Sequence, residues 1–402
     1  MTAPVTRAVV KALTADGADV RFVGGCVRDA LLGRESADID IGTPDPPERV
    51  MGLLGRAGIE TRTFTRSQHG TVTAVAGGNR YEITTLRRDE RTDGRHAEVA
   101  FTDDWEQDAA RRDFTINAMS VTPDGVLHDY FGGQADLAAG RVRFVGDPAT
   151  RIAEDHLRLL RFFRFYAWYG KGVPDAAALD ACKAAAHTIP SLSGERVQAE
   201  MLKLLAAPDP LAPLAAMRDA GVLAQLLPEA SEAKRLARLV AIEGSVGDGD
   251  RIRRLGALIA DAEAAHDVAA RWRLAGADAA RLAALCAPPA PLTPDLDRRT
   301  QRRRLYRLGP GLFRDLVLLA WAAETMARTR RLGGQCWRQP APGKSQPARL
   351  RAEFWHARGV RRRRWAAFVR RRGLVRRTAI SRPTARPRLL QLRELAAGGS
   401  QE

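Results

Sequence analysis

A pair of glycines followed by a pair of aspartates constrains this chain more than any other feature. Gly24 and Gly25 come directly after residues 21–23, which are largely apolar, and Asp38 and Asp40 follow with one residue between them. Glycines that open a helix let backbone N–H groups approach phosphate oxygens closely. Aspartates at alternate positions of a strand project on the same side, where they could bind two divalent cations roughly 3.5 to 4 Å apart. The stretch therefore predicts a site for a metal-bound triphosphate.

The local structure around this stretch can also be predicted. Residues 21–23 are expected to form a short buried strand that ends at the glycines, and Val27 to Leu32 a helix that Gly33 ends. Ile39, between the aspartates, is expected to face the core. Arg28, one turn into the helix, could place a forked cation on the same phosphates. A glycine pair alone is most often a tight turn, and a lone Asp-x-Asp is usually a solvated strand end, so the prediction depends on the combination.

In this order and spacing, residues 24–40 resemble the first signature of the class II tRNA nucleotidyltransferase and bacterial poly(A) polymerase family, within the DNA polymerase β-like superfamily. The resemblance implies an α+β fold, in which a nucleotidyltransferase head with a small mixed sheet and helices precedes an all-helical neck and body. It also implies Mg²⁺ as the cofactor, with Asp38 and Asp40 as ligands and catalytic residues. Gly25 and Arg28 would bind the nucleotide phosphates.

Two strand-like segments follow the aspartates. His69 to Thr73 and Tyr81 to Arg87 flank a turn at residues 77–79, and this pattern predicts a hairpin. Both segments look like strands of the family. Glu82 lies where these enzymes have a third acidic, catalytic residue facing the aspartate pair. An exposed strand glutamate is the commoner general explanation for such a residue.

A second signature occupies residues 111–119, Arg-Arg-Asp-Phe-Thr-Ile-Asn-Ala-Met, and matches the family almost letter for letter. The resemblance implies that Arg112 contacts the incoming nucleotide and that Asn117 with Asp113 braces the site. The preceding residues 88–96 are highly charged and contain glycine, so we expect a mobile loop. Similar loops in the family help the site to change its nucleotide preference.

A third signature, residues 154–165, has a strong helical pattern. Asp155 and Arg158 are three residues apart, so we expect them to share one edge of that helix. In most proteins such a pair is a surface salt bridge that contributes under about 1 kcal/mol. The resemblance implies that here it reads the base of a nucleotide in place of a nucleic-acid template. Arg161 and Arg164 continue the row and would lie against the base or the phosphates.

The chemistry of the bases agrees with this role. A carboxylate only accepts hydrogen bonds, whereas cytosine and adenine both carry an exocyclic amino group where uracil and guanine carry a carbonyl. An edge made of an aspartate and an arginine would therefore favour CTP and ATP. By resemblance, the chain is expected to be a CCA tRNA nucleotidyltransferase, an enzyme that adds CMP and AMP to the tRNA 3′ end without a template, by two-metal phosphoryl transfer.

Several alternatives share these signatures. A poly(A) polymerase acting on RNA 3′ ends has all three and is the nearest competitor. An enzyme that adds only C or only the final A is another alternative, and the intact stretch from Asp93 to Arg95 argues weakly against the A-only form. A non-catalytic RNA-binding protein would be expected to have lost carboxylates, yet both Asp38 and Asp40 are present.

Composition agrees with an RNA-processing enzyme in a reducing compartment. The four cysteines, Cys26, Cys182, Cys286 and Cys336, are scattered without metal-ligand or disulfide-like spacing. The chain begins without an apolar signal run, and no uninterrupted apolar stretch reaches membrane-spanning length. These features predict a cytoplasmic protein that contacts tRNA, CTP and ATP and no membrane.

The formal net charge of +17 is concentrated at one end. Residues 328–402 contain 21 Lys or Arg against 3 Asp or Glu, whereas residues 1–327 contain 43 against 44. The segment that carries the signatures is therefore almost neutral. A basic RNA-binding surface within it must come from local clustering of arginines, because the overall charge predicts none.

The motifs divide the 402 residues into four predicted regions. Residues 1–145 would form the catalytic head, residues 146–210 a helical neck with the nucleotide-selecting helix, and residues 211–335 a helical, RNA-binding body. Residues 336–402 form a basic tail in which arginine blocks alternate with aromatic residues. Such a tail could bind RNA through phosphates and stacked bases, be a disordered charged segment, or arise from a shifted reading frame.

Overall fold

The computed structural model describes residues 3–36, 38–62, 70–93, 96–230, 233–259, 261–290, 292–293 and 296–331. Within these ranges every strand lies between residues 21 and 128, and all regular elements after residue 132 are helices. The predicted α+β architecture, with a mixed sheet followed by helices, is confirmed. The division into head, neck, body and tail stays a prediction, and its last region lies outside the described residues.

The elements are numbered in chain order. The strands are β1 (Arg21–Val23), β2 (Ile39–Thr43), β3 (Glu60–Arg62), β4 (Thr71–Ala76), β5 (Asn79–Thr85), β6 (Arg87–Asp93), β7 (His96–Phe101), β8 (Ser120–Val121) and β9 (Leu127–His128). The first eight helices are α1 (Pro4–Leu13), α2 (Gly25–Leu31), α3 (Pro47–Arg56), α4 (Trp105–Ala110), α5 (Gly133–Ala139), α6 (Pro148–Glu154), α7 (Leu157–Tyr169) and α8 (Ala176–Ala185). The remaining helices are α9 (Gly194–Leu205), α10 (Leu211–Asp219), α11 (Val222–Leu226), α12 (Lys234–Val246), α13 (Arg251–Leu258), α14 (Ala262–Arg271), α15 (Gly276–Cys286) and α16 (Arg298–Arg331). Short 3₁₀ helices occupy Thr115–Asn117 and Ala186–Ser191.

Seven strands form one mixed sheet in the order β3-β4-β5-β2-β1-β8-β9. Its one parallel pair joins β2 to β5 and sets Asp40 level with Glu82. The predicted hairpin is confirmed, because β4 and β5 pair antiparallel on either side of Gly77 and Gly78, although His69 lies outside the described residues. The carboxylate-bearing strand β2 is therefore the central strand of the sheet.

Strand β2 begins one residue later than predicted. Asp38 is exposed just before the strand, and only Asp40 of the two aspartates lies within it. Ile39 is half-buried, while Ile41 on the same face is fully buried. Because the apolar face of β2 lies in the core, Asp40 faces the opposite side.

The stretch predicted to be a mobile loop forms strands instead. β6 and β7 pair antiparallel from Arg87 opposite Phe101 to Asp93 opposite His96, with one irregularity between Asp89 and Arg91. Pairing of this kind satisfies backbone N–H and C=O groups whatever the side chains are. The charged composition therefore did not exclude regular structure, and the loop prediction is wrong for residues 88–93 and 96.

Helix α7 carries the third signature and packs against α9. Its apolar face is buried, with Leu159, Phe162 and Phe163 almost inaccessible to solvent. The helix begins at Leu157, so Asp155 lies before it rather than on it. Helix α9 lies within residues 146–210, which the sequence predicted to be helical.

Buried charges hold the end of α9 against the helical body. Arg254 donates to the carbonyl oxygens of Leu205 (2.7 Å) and Ala207 (2.5 Å). Glu243 accepts from Nε of Arg254 (2.6 Å) and from Nε of Arg253 (2.8 Å). Buried ions are tolerated only when each is paired and hydrogen-bonded, as these are. This network fixes the position of α9, whose side chains reach the candidate site.

The described cysteines are free thiols, in agreement with the spacing argument, and Cys336 lies outside the described residues. Cys26 and Cys182 are buried, and burial raises the pKa of the half-buried Cys286 thiol to about 11. Such thiols are almost fully protonated at neutral pH. In the described part of the chain, none of the helices has the length and apolar character needed to cross a membrane.

Candidate active site

The glycine turn after β1 brings the first two signatures together. Gly24 has a φ of 70°, which only glycine adopts without strain, and its N–H donates to the carbonyl oxygen of Met119 (3.1 Å). A Cβ atom built on Gly24 would lie 2.7 Å from Nη1 of Arg112. The backbone conformation therefore favours glycine here, and a side chain would also displace the guanidinium of the second signature.

Arg112 is fixed in this place by Asp108 at the end of α4. Its Nη2 donates to Oδ2 of Asp108 (3.0 Å), and Nη1 lies 3.5 Å from the carbonyl oxygen of Asn117. Although burial works in the opposite direction, the charges of Arg112 and Arg111 hold the pKa of Asp108 below its usual value. The anchored guanidinium stays partly accessible beside the glycine turn, as a phosphate-binding cation must.

Three carboxylates lie close enough to influence one another. Burial raises the pKa of Asp40, the negative charges of Glu82 and Asp38 raise it further, and the positive charge of Arg112 opposes them. Glu82 is level with Asp40 on the neighbouring strand and accepts a hydrogen bond from Arg80 (2.9 Å). The structure thus brings together the carboxylates that the sequence singled out, with a cation beside them.

This carboxylate edge fits a hard divalent cation by its chemistry. Carboxylate oxygens are the ligands that Mg²⁺ prefers, and the mutual repulsion around Asp40 is what a bound cation would relieve. Among the residues that the structure describes, no three His, Cys, Asp or Glu side chains stand as a ready-made metal-binding group. The assignment of Asp38 and Asp40 as metal ligands stays a prediction from the sequence.

Arg28, which the sequence predicts to bind phosphates, makes several contacts within the chain. It is buried, its Nε and Nη2 donate to the two carboxylate oxygens of Asp29 (3.0 Å each), and Nη1 donates to Oδ1 of Asn117. The guanidinium carbon also lies 4.2 Å from the ring centre of Tyr169. Its contacts within the chain link α2 to the second signature and to α7.

The second signature continues this link into α7. Nδ2 of Asn117 donates to Oδ1 of Asp113 (2.9 Å), and Nε of Arg161 donates to Oδ2 (2.7 Å). Against the effect of burial, Arg161 and Asn117 hold the pKa of Asp113 below its ordinary value. This geometry agrees with the bracing role that the resemblance implied for Asp113 and Asn117.

The two outer arginines of α7 share one buried partner. Glu200 of α9 accepts from Nε of Arg164 and lies 3.8 Å from Nη1 of Arg161. Burial lowers the pKa of Arg164, and the positive charge of Arg161 acts in the same direction. The row of arginines expected from the sequence is present, but carboxylates of the chain hold it in place.

Asp155 and Arg158 have different side-chain partners in this structure. Oδ2 of Asp155 accepts from Nη2 of Arg196 (2.7 Å), while Oδ1 accepts from the N–H of Leu157 (3.1 Å). Arg158 donates to Glu154 instead. The spacing argument assumed one continuous helix, whereas Asp155 has extended backbone angles between α6 and α7.

Sequence reasoning missed the two partners on α9, Arg196 and Glu200. They are four residues apart and flank the buried Val197 and Met201, so both lie toward the packed face of the helix. A glutamate among core residues signals a buried partner of opposite charge. That signal was available, although it could not have identified which arginine the glutamate contacts.

Family models match two parts of this chain. The model described as the poly A polymerase head domain matches residues 20–143. The model described as the probable RNA and SrmB-binding site of polymerase A matches residues 174–234. The first match contains the glycine turn, the carboxylate edge and Arg112, and α7 lies between the two matches.

Individual relatives agree with these matches. The chain is 44% identical over 189 residues to the mitochondrial CCA tRNA nucleotidyltransferase 1 of Danio rerio. The matched residues cover 46% of this chain and 44% of that protein. It is 39% identical over 209 residues to the CCA-adding enzyme of Bacillus pumilus, covering 51% of each. The chain thus spans about half the length of these curated relatives. The crystal structure of the Bacillus stearothermophilus CCA-adding enzyme in complex with CTP has 28% sequence identity and a TM-score of 0.64, and 80% of each chain is covered.

Replacing Asp113 with Asn should destabilise the protein in a pH-dependent manner. Removing a buried partner of Arg161 costs about 3 kcal/mol, which partial exposure of Arg161 reduces to about 2 kcal/mol. Because the folded-state pKa of Asp113 is lowered, the carboxylate stabilises the fold fully above its unfolded pKa near 3.9. This contribution to stability is lost as the pH falls through the lowered pKa that Asp113 has in the folded state.

Urea unfolding at several pH values would measure this effect. The difference in the free energy of unfolding between the native protein and Asp113→Asn should be constant from about pH 7 to 5. It should shrink below about pH 4. Asp219→Asn, which breaks an exposed pair with Arg218, serves as the control and should change the free energy of unfolding by under about 0.5 kcal/mol. A difference at Asp113 that does not vary with pH would contradict the ion-pair assignment.

Proposed function

We propose that the chain belongs to the family of tRNA nucleotidyltransferases and poly(A) polymerases, and that it adds CMP and AMP to the 3′ end of tRNA. CTP and ATP would be the nucleotide substrates. One observation carries the proposal: the glycine turn, Arg112 and the carboxylate edge are adjacent, and a continuous set of polar contacts joins them to α7. The names of the relatives favour CCA addition among the reactions that such a site could perform.

The glycine turn and Arg112 would bind the triphosphate. A Cβ on Gly25 would make only an ordinary contact, 3.6 Å from Nη2 of Arg28, so packing within the chain does not require glycine there. Close approach of a phosphate to the backbone would require it. Arg112 lies beside the same turn with a guanidinium that can donate to phosphate oxygens. Arg28 would act through Asn117, by holding the turn against the second signature.

Asp38 and Asp40 would hold Mg²⁺, and Glu82 would complete the negative edge. The bound ions would lower the pKa of the ribose 3′-hydroxyl and neutralise charge on the triphosphate. The chain itself contributes the placement of these carboxylates on the central strand and, through Arg112, a cation on the nucleotide side. Ile41 is fully buried in the core. Because neighbouring side chains of a strand point to opposite faces, the carboxylate of Asp40 is directed away from the core.

Asp155 would read the base, with Arg196 as the residue that orients it. A carboxylate has about four acceptor positions, so Asp155 can accept from Arg196 and still accept from an exocyclic amino group. Its side chain is 27% exposed, which leaves it accessible. Arg158 would join it at the base after leaving Glu154, while Arg161 and Arg164, held by Asp113 and Glu200, would provide positive charge nearby.

A poly(A) polymerase is the second candidate, because the family model that matches the head is named after that activity. Both reactions use the same attack of a 3′-hydroxyl on an α-phosphorus. They differ in the RNA accepted and in when addition stops. A cytoplasmic location stays a prediction from the sequence, and cell fractionation would test it.

The direct test is to incubate the protein with Mg²⁺ and a tRNA transcript that lacks its terminal CCA. We expect two C residues with CTP alone, a complete CCA end with CTP and ATP, and no addition with UTP or GTP. Asp40→Asn should abolish pyrophosphate release and leave the circular dichroism spectrum unchanged, because it removes a proposed metal ligand. Asp19→Asn, which alters an exposed ion pair of the same domain, is the matched control and should remain active.

Other outcomes of this test are equally informative. Long A tracts on unrelated RNA would favour the poly(A) polymerase. Absence of pyrophosphate release with every RNA and nucleotide would contradict both candidates.

Gly24→Ala and Gly33→Ala form a matched pair that tests the role of the turn. Both glycines have positive φ angles, 70° and 67°, so both substitutions should cost about 1 to 3 kcal/mol of stability. Only at Gly24 would the new Cβ displace Arg112, since nothing lies within 4 Å of a Cβ at Gly33. The KM for CTP should therefore rise about tenfold in Gly24→Ala alone, because one charge-assisted hydrogen bond to the nucleotide is removed. Equal KM values in the two variants would contradict the assignment.

A further inference from the structure

The first part of α16 contains the densest cluster of arginines in the described chain. Residues 298–308 include six arginines and no acidic residue. The helix is broken at Gly309, where φ is 72° and ψ is 164°, and Pro310 follows. We call residues 298–308 the arginine segment. It lies outside both family matches, and because residues 1–327 are almost neutral overall, its charge is a local feature.

Among the described residues, the acidic residues nearest the arginine segment, Asp297 and Asp315, already have other partners. Asp297 accepts from the backbone N–H groups of Arg299 and Thr300 and from the Thr300 hydroxyl, so it caps the helix. Asp315 is buried and pairs with Arg253 and Arg281 of the body. Neither carboxylate neutralises the exposed arginine side chains.

The exposed arginines of the segment have no acidic partner among the described residues. Within the described ranges, no carboxylate pairs with the side chains of Arg299, Arg302, Arg303 or Arg307. By contrast, the exposed Arg56 on α3 pairs with Asp16 at 2.8 Å. Four neighbouring unpaired cations repel one another, and a polyanion bound across them would relieve that repulsion.

An exposed aromatic ring lies among these cations. Tyr306 is 91% exposed, and helix geometry makes Arg302 and Arg303 its neighbours one turn earlier. Arg299, Arg303 and Arg307 follow one another at intervals of four residues, which forms a row along the helix. Cations in a row beside an accessible ring are the combination that binds single-stranded or splayed RNA, where arginines contact phosphates and a base stacks on the ring.

We propose that the arginine segment is an RNA-binding surface, in which Arg299, Arg302, Arg303 and Arg307 contact backbone phosphates and Tyr306 stacks on an exposed base. The identity of that RNA as tRNA rests on the proposed function. The surface itself does not depend on the chemistry at Asp38 and Asp40, so binding and catalysis can be tested separately.

The test compares two double variants with equal loss of charge. Arg302→Gln with Arg303→Gln removes two cations of the surface, and Arg49→Gln with Arg56→Gln removes two exposed arginines of the head that pair with acidic residues. Filter binding of a tRNA transcript without CCA would be measured from 50 to 200 mM salt. We expect the surface variant to bind about tenfold more weakly, and the slope of log K against log salt to fall by about 0.7 to 0.9 for each phosphate that is no longer neutralised. The control should bind like the native protein.

Substitutions of Tyr306 test the stacking. Tyr306→Ala should weaken binding about fivefold or more, whereas Tyr306→Phe should bind like the native protein because the ring is kept. The thermal midpoint of every variant should be unchanged, since the altered side chains are exposed.

A short primer with CTP separates this proposal from the proposed function. The surface variants should release pyrophosphate from a primer too short to reach α16 at the native rate. If neither the native protein nor any variant releases pyrophosphate with any primer, the proposed function is wrong. If the difference in RNA affinity between the two double variants persists in that case, the RNA-binding surface is still supported. The proposal of an RNA-binding surface would be contradicted if the two double variants bound the tRNA transcript with equal affinity and equal salt slope. Tighter binding of polyglutamate than of RNA would also contradict it.

Discussion

A chain of buried and half-buried polar contacts holds the candidate site together. It begins in α2, passes through the second signature and α7, and ends in α9. Its members are Asp29, Arg28, Asn117, Asp113, Arg161 and Glu200. Each buried charge in this chain is adjacent to an opposite charge or a hydrogen-bonding amide, which is the condition under which ions are tolerated away from water.

The chain of contacts explains how separate parts of the sequence make one site. The glycine turn and Arg112 lie in the part of the chain that contains the strands, residues 21–128, whereas Arg161 and Glu200 belong to the helices that follow it. Their connection places a proposed phosphate-binding end and a proposed base-reading end at a fixed separation. Phosphoryl transfer depends mainly on positioning and electrostatics, so a rigid connection of this kind is what the proposed reaction needs.

Much of the fold followed from sequence. Strand alternation predicted the β4-β5 hairpin, and the short strand before the glycine turn was predicted at the right residues. Spacing along the chain did not predict the partners of Asp155 and Arg158. The sequence suggested that these two residues share one edge. In the structure Asp155 pairs with Arg196, and Arg158 pairs with Glu154. Residues 88–93 were predicted to be loop because charge was taken as a sign of irregular structure, but pairing with β7 makes them a strand. Which oppositely charged side chain a buried arginine meets is set by helix packing, and this is not encoded in spacing along the chain.

A double-mutant cycle between Asn117 and Glu200 tests the central claim most directly. The two residues do not touch, and Asp113 and Arg161 connect them. If the contacts act as one unit, the urea-unfolding free energies of Asn117→Ala, Glu200→Gln and the double variant should reveal a coupling of about 1 kcal/mol or more. The same cycle between Asn117 and Glu243, which lies in the separate network of the body, should be additive. Additivity within about 0.5 kcal/mol for Asn117 and Glu200 would contradict the account.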